Sequence, residues 1–254
     1  MPGFTHLHTV SGFSVRYGGS HPERLAERAA ERGMDALALT DRDTLAGAVR
    51  FAKACAKAGI RPLFGVDLAV PYAAEAAGGA AAGSRAGAPE ASQRRRTPVR
   101  GGAFLDESAP RAVFLARDGA AGWAELCRMV TAAHAAHAAH AAHAPGDGTA
   151  AGDPGSPGGS GVRHAAASGP ASAAVRGSAA QPALTWNALR GESVYVLLGP
   201  GSEVGRALAA GRPDRAVRLL APWREVYGDS LCLEAVDHGR TGTGPGSLRL
   251  AART

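Results

Sequence analysis

Residues 36–70, ALALTDRDTLAGAVRFAKACAKAGIRPLFGVDLAV, carry the pattern of a strand, a helix and a second strand in succession. The apolar run at 36–40 predicts a short buried strand, and the periodic stretch 44–58 predicts a helix that ends at Gly59. The β-rich run 61–70 predicts the next strand. Two apolar strands flanking a helix are typical of an α/β fold.

The same alternation extends in both directions from this unit. A helix with Pro22 in its first turn is predicted to start after Ser20 or His21 and to stop at Gly33. Further strands are predicted at 4–10, 112–117, 194–198 and 231–236, and further helices from 120 onward and at 203–210 and 214–227. Apolar strands alternating with helices predict a parallel sheet buried on both faces, either doubly wound or closed as a barrel.

Two low-complexity stretches interrupt this pattern, at 73–102 and at 132–182. They are rich in Ala, Gly, Ser and Pro and hold few large apolar side chains, so they cannot bury enough surface to offset chain entropy. We therefore expect one domain with disordered loops at 73–102 and 144–182. The repeat His134, His137, His140 and His143 spreads around a helix, because steps of three residues do not keep one face. We interpret it as a repeat expansion at the end of an Ala-rich helix, although adjacent pairs could hold a metal weakly.

The chain of 254 residues carries a net charge of +6, and its calculated pI is near 9.8. Such a balance favours nucleic acid over acidic partners. Arg94, Arg95 and Arg96 form the densest basic run and are a candidate DNA contact, but a solvated charge run is the interpretation we prefer.

The three cysteines are widely spaced, which gives neither a zinc motif nor a secreted disulfide framework. No stretch is apolar over the length that spans a bilayer, and the first residues do not resemble a secretion signal. We expect a cytoplasmic protein without a membrane partner.

A candidate metal site begins with His6 and His8, because residues two apart on a strand share one face. Further ligand types lie in or after the other predicted strands: Asp41, Asp67, Glu234 and His238. The carboxyl ends of parallel strands are where barrel enzymes build their sites. A histidine in a strand can equally be a satisfied interior residue, so the spacing alone leaves both interpretations open.

Four blocks, in order, resemble a known family: FTHLHTVSGFS, the 36–70 stretch, AVFLARDGAAGWAELCRMV and REVYGDSLCLEAVDHG. They are similar to the polymerase and histidinol phosphatase (PHP) domain, and in particular to the version that opens bacterial DNA polymerase III alpha subunits, replicative or error-prone. The resemblance implies a distorted (β/α)7 TIM-like barrel. Metal-bearing members of the family hydrolyse phosphoesters, and in the polymerases the domain supports the catalytic domains.

The resemblance also implies where metal ligands should lie, and several are missing. If Ser14 is set against the family's serine, His8 takes the first ligand position and Val10 the second. A rival alignment places His6 and His8 at the two ligand positions, but Ser14 then falls two residues after the position of the family's serine. We therefore prefer the first alignment.

Three more ligand positions of the family are altered. Arg42 replaces a histidine after Asp41, Asp67 replaces a glutamate, and Arg111 replaces a further histidine. Valine offers no lone pair, and arginine adds a fixed positive charge where a cation would sit. We expect a vestigial site without a cofactor, its arginines paired with Asp41, Asp67 or Glu234. The alternative is one Zn²⁺, Mn²⁺ or Mg²⁺ on His6, His8, Asp41 and Glu234.

We therefore expect residues 1–254 to be an incomplete PHP domain that stops before its last strands, as the front end of a longer polymerase or as a truncated product. Its expected role is structural, in DNA replication or error-prone repair synthesis. Its expected partners are polymerase domains of the same polypeptide, DNA through that parent protein, and replisome subunits such as the sliding clamp. The alternatives are a metal-dependent phosphoesterase with a reduced metal site and a non-catalytic DNA-binding module.

Overall fold

A five-stranded mixed sheet forms the centre of the molecule in the computed structural model, which describes residues 4–70, 96–98, 104–106, 109–142, 178–179, 182–189 and 192–236. The strands of this sheet lie in the order β1-β2-β5-β7-β8. Their bounds are β1 Ala36–Arg42, β2 Arg61–Ala69, β5 Arg111–Ala116, β7 Val194–Leu198 and β8 Leu231–Leu233. The predicted mixture of helices and apolar strands is confirmed.

Five α-helices are described: α1 Pro22–Glu31, α2 Ala48–Ala58, α3 Gly119–Ala142, α4 Glu203–Ala209 and α5 Pro213–Tyr227. Short 3₁₀ helices cover Trp186–Ala188 and Gly228–Ser230. Their ends follow from local chemistry. The α2 helix stops because Gly59 adopts a left-handed conformation at φ +73°. The Ser202 hydroxyl accepts a hydrogen bond from the Gly205 N–H and so caps α4.

The direction of β5 corrects the prediction of a parallel sheet. β1 and β2 are parallel, as are β7 and β8, but β5 runs antiparallel to both of its neighbours. Parallel neighbours need a crossover, usually a helix, whereas antiparallel neighbours do not. Between β2 and β5 the described residues contain no helix, which fits the antiparallel pairing.

The predicted first strand at 4–10 is also wrong as a regular strand. This segment lies beside β1, where the Ala38 N–H donates to the His6 carbonyl at 2.9 Å and the Thr40 N–H donates to the Thr9 carbonyl at 2.8 Å. The segment therefore advances three residues, from His6 to Thr9, where β1 advances two, from Ala38 to Thr40. The extra residue breaks the regular ladder, as in a β-bulge, so simple alternation no longer places His6 and His8 on one face.

Parts of the two low-complexity stretches lie in regular elements: the helix through the histidine repeat was expected, whereas the strands within these stretches are contrary to the expectation of disordered loops. The α3 helix continues to Ala142, and a small second sheet pairs β3 Arg96–Pro98, β4 Phe104–Asp106 and β6 Ser178–Ala179. β3 and β6 each pair with β4, which lies between the two stretches. Composition does not reveal such backbone pairing.

The two faces of the large sheet have different cores. One face packs against α3, α4 and α5 through a large apolar cluster that includes Val66, Phe114 and Trp223. The opposite face carries a small cluster, Ala38, Val113, Leu115 and Leu197. The space left at one end of this second face holds the polar side chains described next.

All three cysteines are free thiols, and burial raises the pKa of Cys55 to about 11. Within the described residues, no helix combines the length and apolarity needed to cross a bilayer.

Candidate functional site

A cleft of about 400 Å³ opens at one end of the five-stranded sheet. The carboxyl ends of β1, β2, β7 and β8 reach it, and β5 reaches it with its amino end because that strand is antiparallel. Its polar lining comes from His8, Arg42, Asp67, Arg111 and Glu234. Its remaining lining residues are Val10, Val113, Leu197, Gly199, Pro200, Gly201 and Val236.

Strand register brings Arg42, Asp67 and Arg111 together. Arg42 lies directly opposite Asp67 in the β1–β2 pair, and Val113 lies opposite Asp67 in the β2–β5 pair. Because side chains alternate along a strand, Arg111 is on the same face as Val113, two residues away. A diagonal step across antiparallel strands is within reach of a long side chain. The guanidiniums of Arg42 and Arg111 therefore converge on one carboxylate.

Asp67 is held between these two arginines. Arg42 Nε donates to Asp67 Oδ2 at 3.2 Å, and Arg111 Nε donates to Oδ1 at 2.9 Å. The Arg111 Nη2 also donates to the Asp67 backbone carbonyl at 2.7 Å. Asp67 and Arg111 are 6% and 7% exposed. Both carboxylate oxygens of Asp67 thus already have charged donors.

The guanidinium of Arg111 stays protonated in this environment. Burial lowers the pKa of Arg111, but the carboxylates of Asp67 and Asp43 outweigh it and raise the pKa above its ordinary value. The guanidinium of Arg42 also stacks over the Tyr17 ring, 3.7 Å from its centroid. Such stacking is a favourable cation–π contact. Both arginines are therefore fixed cations inside the cleft.

Asp43 is a second acidic partner that the sequence reasoning missed. Its Oδ1 accepts from Arg111 Nη2 at 2.9 Å, and its backbone N–H donates to the Asp67 carbonyl at 2.9 Å. Its φ of +58° is in the left-handed region, which aspartate tolerates better than most residues. His134 Nε2 donates to the Asp43 carbonyl at 2.7 Å, so one histidine of the repeat has a structural contact. The sequence signal that could have identified Asp43 is its position directly after Arg42, at the end of β1.

Asp41 lies on the other side of the sheet from Arg42, because adjacent residues of a strand point to opposite faces. Its two carboxylate oxygens accept from the Ser11 N–H at 2.6 Å, the Ser11 hydroxyl at 2.8 Å and the Ser14 hydroxyl at 2.6 Å. Ser14 in turn accepts from the Arg42 N–H at 2.9 Å. Asp41 thus ties the N-terminal loop to the end of β1, and sequence reasoning had assigned no role to Ser11.

His8 and Glu234 form a separate pair at the cleft. His8 Nδ1 donates to Glu234 Oε1 at 2.9 Å and lies 3.2 Å from Oε2. Glu234 follows β8, and its N–H donates to the Leu198 carbonyl at 3.0 Å. A Cβ on Gly199 would collide with the Glu234 carboxylate, so the glycine makes room for this side chain. The pair links the N-terminal segment to the chain that follows β8.

The proton affinity of His8 reflects this pairing. Partial burial lowers the pKa of His8, but its hydrogen bond to Glu234 and the negative charges of Glu234 and Asp67 outweigh that effect, so the pKa is raised. A histidine whose pKa is higher in the folded state stabilises the fold fully below its unfolded pKa, near 6.5. That contribution is lost as the pH rises through the folded pKa.

We expect the substitution Glu234→Gln to lower the pKa of His8, because burial and the Arg42 charge then oppose protonation with only Asp67 to offset them. The measurement is an NMR titration of the His8 ring protons in the wild type and the variant. Glu27→Gln, in an exposed pair on α1, is the control and should leave the His8 titration unchanged. An unaltered His8 titration in the Glu234 variant would show that the pair does not form.

The remaining predicted site residues lie elsewhere or outside the described residues. His6 is exposed, packs edge-on against Phe4 at 4.8 Å, and lines a neighbouring cleft with His8 but not the one above. Val10 lines the site cleft with its apolar side chain. His238, Arg94 and Arg95 lie outside the described residues, and Arg96 is described only as the first residue of β3.

The described donors do not fit a metal centre of two or three ions. Asp67 is engaged by two guanidiniums and Asp41 by two serines on the opposite face, which leaves His8 and Glu234 bonded to each other. Among the described residues, no group of three or more His, Cys, Asp or Glu could hold a metal ion. A protein zinc site takes at least three protein ligands.

The chain belongs to the PHP domain family, whose model matches residues 6–149. Among curated proteins it is similar to error-prone DNA polymerases. It is 36% identical over 141 residues to that of Nocardia farcinica, which covers 52% of this chain and 12% of the polymerase. It is 37% identical over 131 residues to that of Mycobacterium bovis, which covers 52% of this chain and 10% of the polymerase. The match therefore spans about a tenth of these relatives.

Two solved structures show weaker likenesses. An amidohydrolase from Chromobacterium violaceum matches with a TM-score of 0.30 and 26% identity, covering 56% of this chain and 40% of that one. A putative metal-dependent phosphoesterase from Bifidobacterium adolescentis matches with a TM-score of 0.29 and 17% identity, covering 54% of this chain and 34% of that one.

Proposed function

We propose that this chain is the PHP portion of an error-prone DNA polymerase, and that arginine–carboxylate pairs have replaced its metal ions. In this proposal the domain is a distorted (β/α)7 barrel, of which the mixed sheet is a part. Its role is structural: it supports polymerase domains of the same polypeptide. Contacts with DNA, and with replisome subunits such as the sliding clamp, are made through that longer protein.

The observation that carries this proposal is the buried Asp67 carboxylate between Arg42 and Arg111. A metal ion held by Asp67 would stand next to two fixed positive charges. Arginine cannot be deprotonated in proteins, so neither side chain can become a ligand. The guanidiniums supply the positive charge that a metal ion would otherwise give to Asp67, and they satisfy its oxygens with charge-assisted hydrogen bonds in place of coordination.

A structural role follows from the same contacts. In this proposal Arg42 and Arg111 occupy the place of the metal ion that would polarise a phosphoester and activate a water. The paired side chains instead join β1, β2, β5 and the loop at Asp43, and the His8–Glu234 pair joins the N-terminal segment to the chain beyond β8. The cleft thus holds together segments that are distant in the sequence.

The polymerase of Nocardia farcinica offers a test of this role. Three forms are compared in primer extension: the intact polymerase, one from which the region matching this chain is deleted, and one in which this chain replaces that region. We expect deletion to abolish extension, because neighbouring domains lose their support, and replacement to restore it. Deletion without loss of extension would overturn the proposed role, as would a folded replacement that stays inactive.

A parallel assay on the 254-residue chain alone tests the loss of hydrolysis. We expect no hydrolysis of bis(p-nitrophenyl) phosphate with Mn²⁺ or Zn²⁺ above the rate of the Glu234→Gln variant, which lacks one carboxylate of the alternative reduced metal site. A metal-dependent rate that this substitution removes would instead establish a phosphoesterase with a reduced metal site.

A further inference from the structure

A second cleft, of about 740 Å³, lies at the opposite end of β7 from the site above. Its position follows from Ser193, which immediately precedes β7, whereas the first cleft is lined by residues that follow this strand. Helices α3 and α5 form its sides. Its lining residues are Glu125, Arg128, Trp186, Glu192, Ser193, Pro222, Glu225 and Val226.

This cleft is acidic in a chain that is basic overall. Three glutamates, Glu125, Glu192 and Glu225, line it, and among the described lining residues Arg128 is the one cation. The whole chain carries a net charge of +6. A concentration of negative charge in a recess of a basic protein attracts a cationic group and repels phosphate.

Glu125 provides an independent sign of a missing partner. Its side chain is 3% exposed, and Oε2 accepts a hydrogen bond from Arg128 Nη2. Oε1 is also buried, and no described residue donates to it. A buried carboxylate oxygen without a donor is costly, so a group that brings one would bind favourably. The side chain of Arg128 is 68% exposed, so it does not fill the cleft beside Glu125.

The shape and the chemistry of the lining indicate which cation fits. Trp186, Pro222 and Val226 offer aromatic and apolar surface beside the carboxylates. A guanidinium carries five N–H donors in a plane, pairs with carboxylates and stacks on aromatic rings. A metal ion fits poorly, because no three ligand-type side chains among the described residues come together to hold one.

We propose that this second cleft binds the guanidinium group of an arginine-bearing ligand, with Glu125 as its central acceptor. The guanidinium donates to Glu125 Oε1, while Glu225 and Glu192 add negative charge at the rim. Trp186 provides the surface on which the planar group lies. This inference is independent of the metal-free site at the other end of the sheet.

Calorimetric titration of the 254-residue chain tests this proposal. The probes are N-acetyl-arginine methylamide, which mimics arginine within a peptide, free arginine, and the uncharged N-acetyl-citrulline methylamide. We expect saturable binding of an arginine probe and none of the citrulline probe. Binding of the peptide mimic alone assigns the site to a peptide side chain, and binding of free arginine as well assigns it to small guanidines also.

Variants identify the acceptor. Glu125→Gln should weaken binding by about tenfold or more, because it removes a charge-assisted hydrogen bond. Glu225→Gln, on the exposed rim, keeps Glu125 and should weaken binding by a smaller factor, which provides a test if the buried variant does not fold. Glu31→Gln, in an exposed pair on α1, is the matched control. The proposal is overturned by no binding of either arginine probe, by equal binding of citrulline, or by unchanged binding in both cleft variants.

Discussion

The substitution Asp67→Asn is expected to lower the free energy of unfolding by about 3 kcal/mol, since removing one partner of a buried ion pair leaves an uncompensated charge. Arg111 is 7% exposed and would keep its ion pair with Asp43 but lose the one with Asp67, while Arg42 would lose its ion pair with Asp67. The asparagine keeps the shape of the side chain, so the loss reports charge and not volume. Urea unfolding followed by circular dichroism is the measurement.

The control for this result is Asp35→Asn, at an exposed carboxylate between α1 and β1, where we expect a change within about 0.5 kcal/mol. The sign of the effect separates the two accounts of the cleft. If Asp67 were a metal ligand, the metal-free protein would carry an excess of negative charge there, and the asparagine would leave its stability unchanged or raise it. Either outcome in metal-free protein would contradict the arginine-paired site.

The second large effect is expected at Asp41, where substitution with alanine should lower the free energy of unfolding by about 3 kcal/mol. Three donors from Ser11 and Ser14 lose their acceptor, and each buried donor left unsatisfied costs about 1–3 kcal/mol. The loss should be local as well as global. Amide hydrogen exchange is expected to quicken in residues 11–18, which these bonds tie to the end of β1.

Asp41→Asn is the matched comparison, because it keeps an acceptor for part of this network and should cost less than alanine. Asp35→Ala is the surface control. Equal stability of wild type and Asp41→Ala would show that the serine contacts do not anchor the loop. A variant that loses a bound metal without losing stability would make Asp41 a ligand instead.

Much of the fold was predictable, because its strands are short apolar runs between clear helix signals. The helices at 22–31 and 48–58 begin and end within a few residues of their predicted positions, with Gly59 as the stop of the second. Strand direction was not predictable in the same way. It depends on which strands pair across long insertions, and the apolar run at β5 fits either direction.

The site was predictable in its residue types but not in its partners. Resemblance to the family singled out Arg42 and Arg111, and their charge already argued against metal ions. Which carboxylate they pair with depends on register, which sets Arg42 opposite Asp67. Because side chains alternate along β1, Asp41 points to the other face from Arg42. This could have been predicted from the sequence if the strand had been extended from 36–40 to Arg42. The contact of Asp43 with Arg111 depends on the backbone turn after β1, which the local sequence pattern does not show.

The most direct test of the proposal that arginines have replaced the metal ions is the metal content of the purified 254-residue chain. The protein is incubated with Zn²⁺ or Mn²⁺, freed of unbound ions by gel filtration, and analysed by mass spectrometry of the elements. We predict far less than one ion per chain, and no change in thermal stability on adding either metal or a chelator. One or more tightly bound ions per chain, with a melting temperature that rises with metal concentration, would contradict the account.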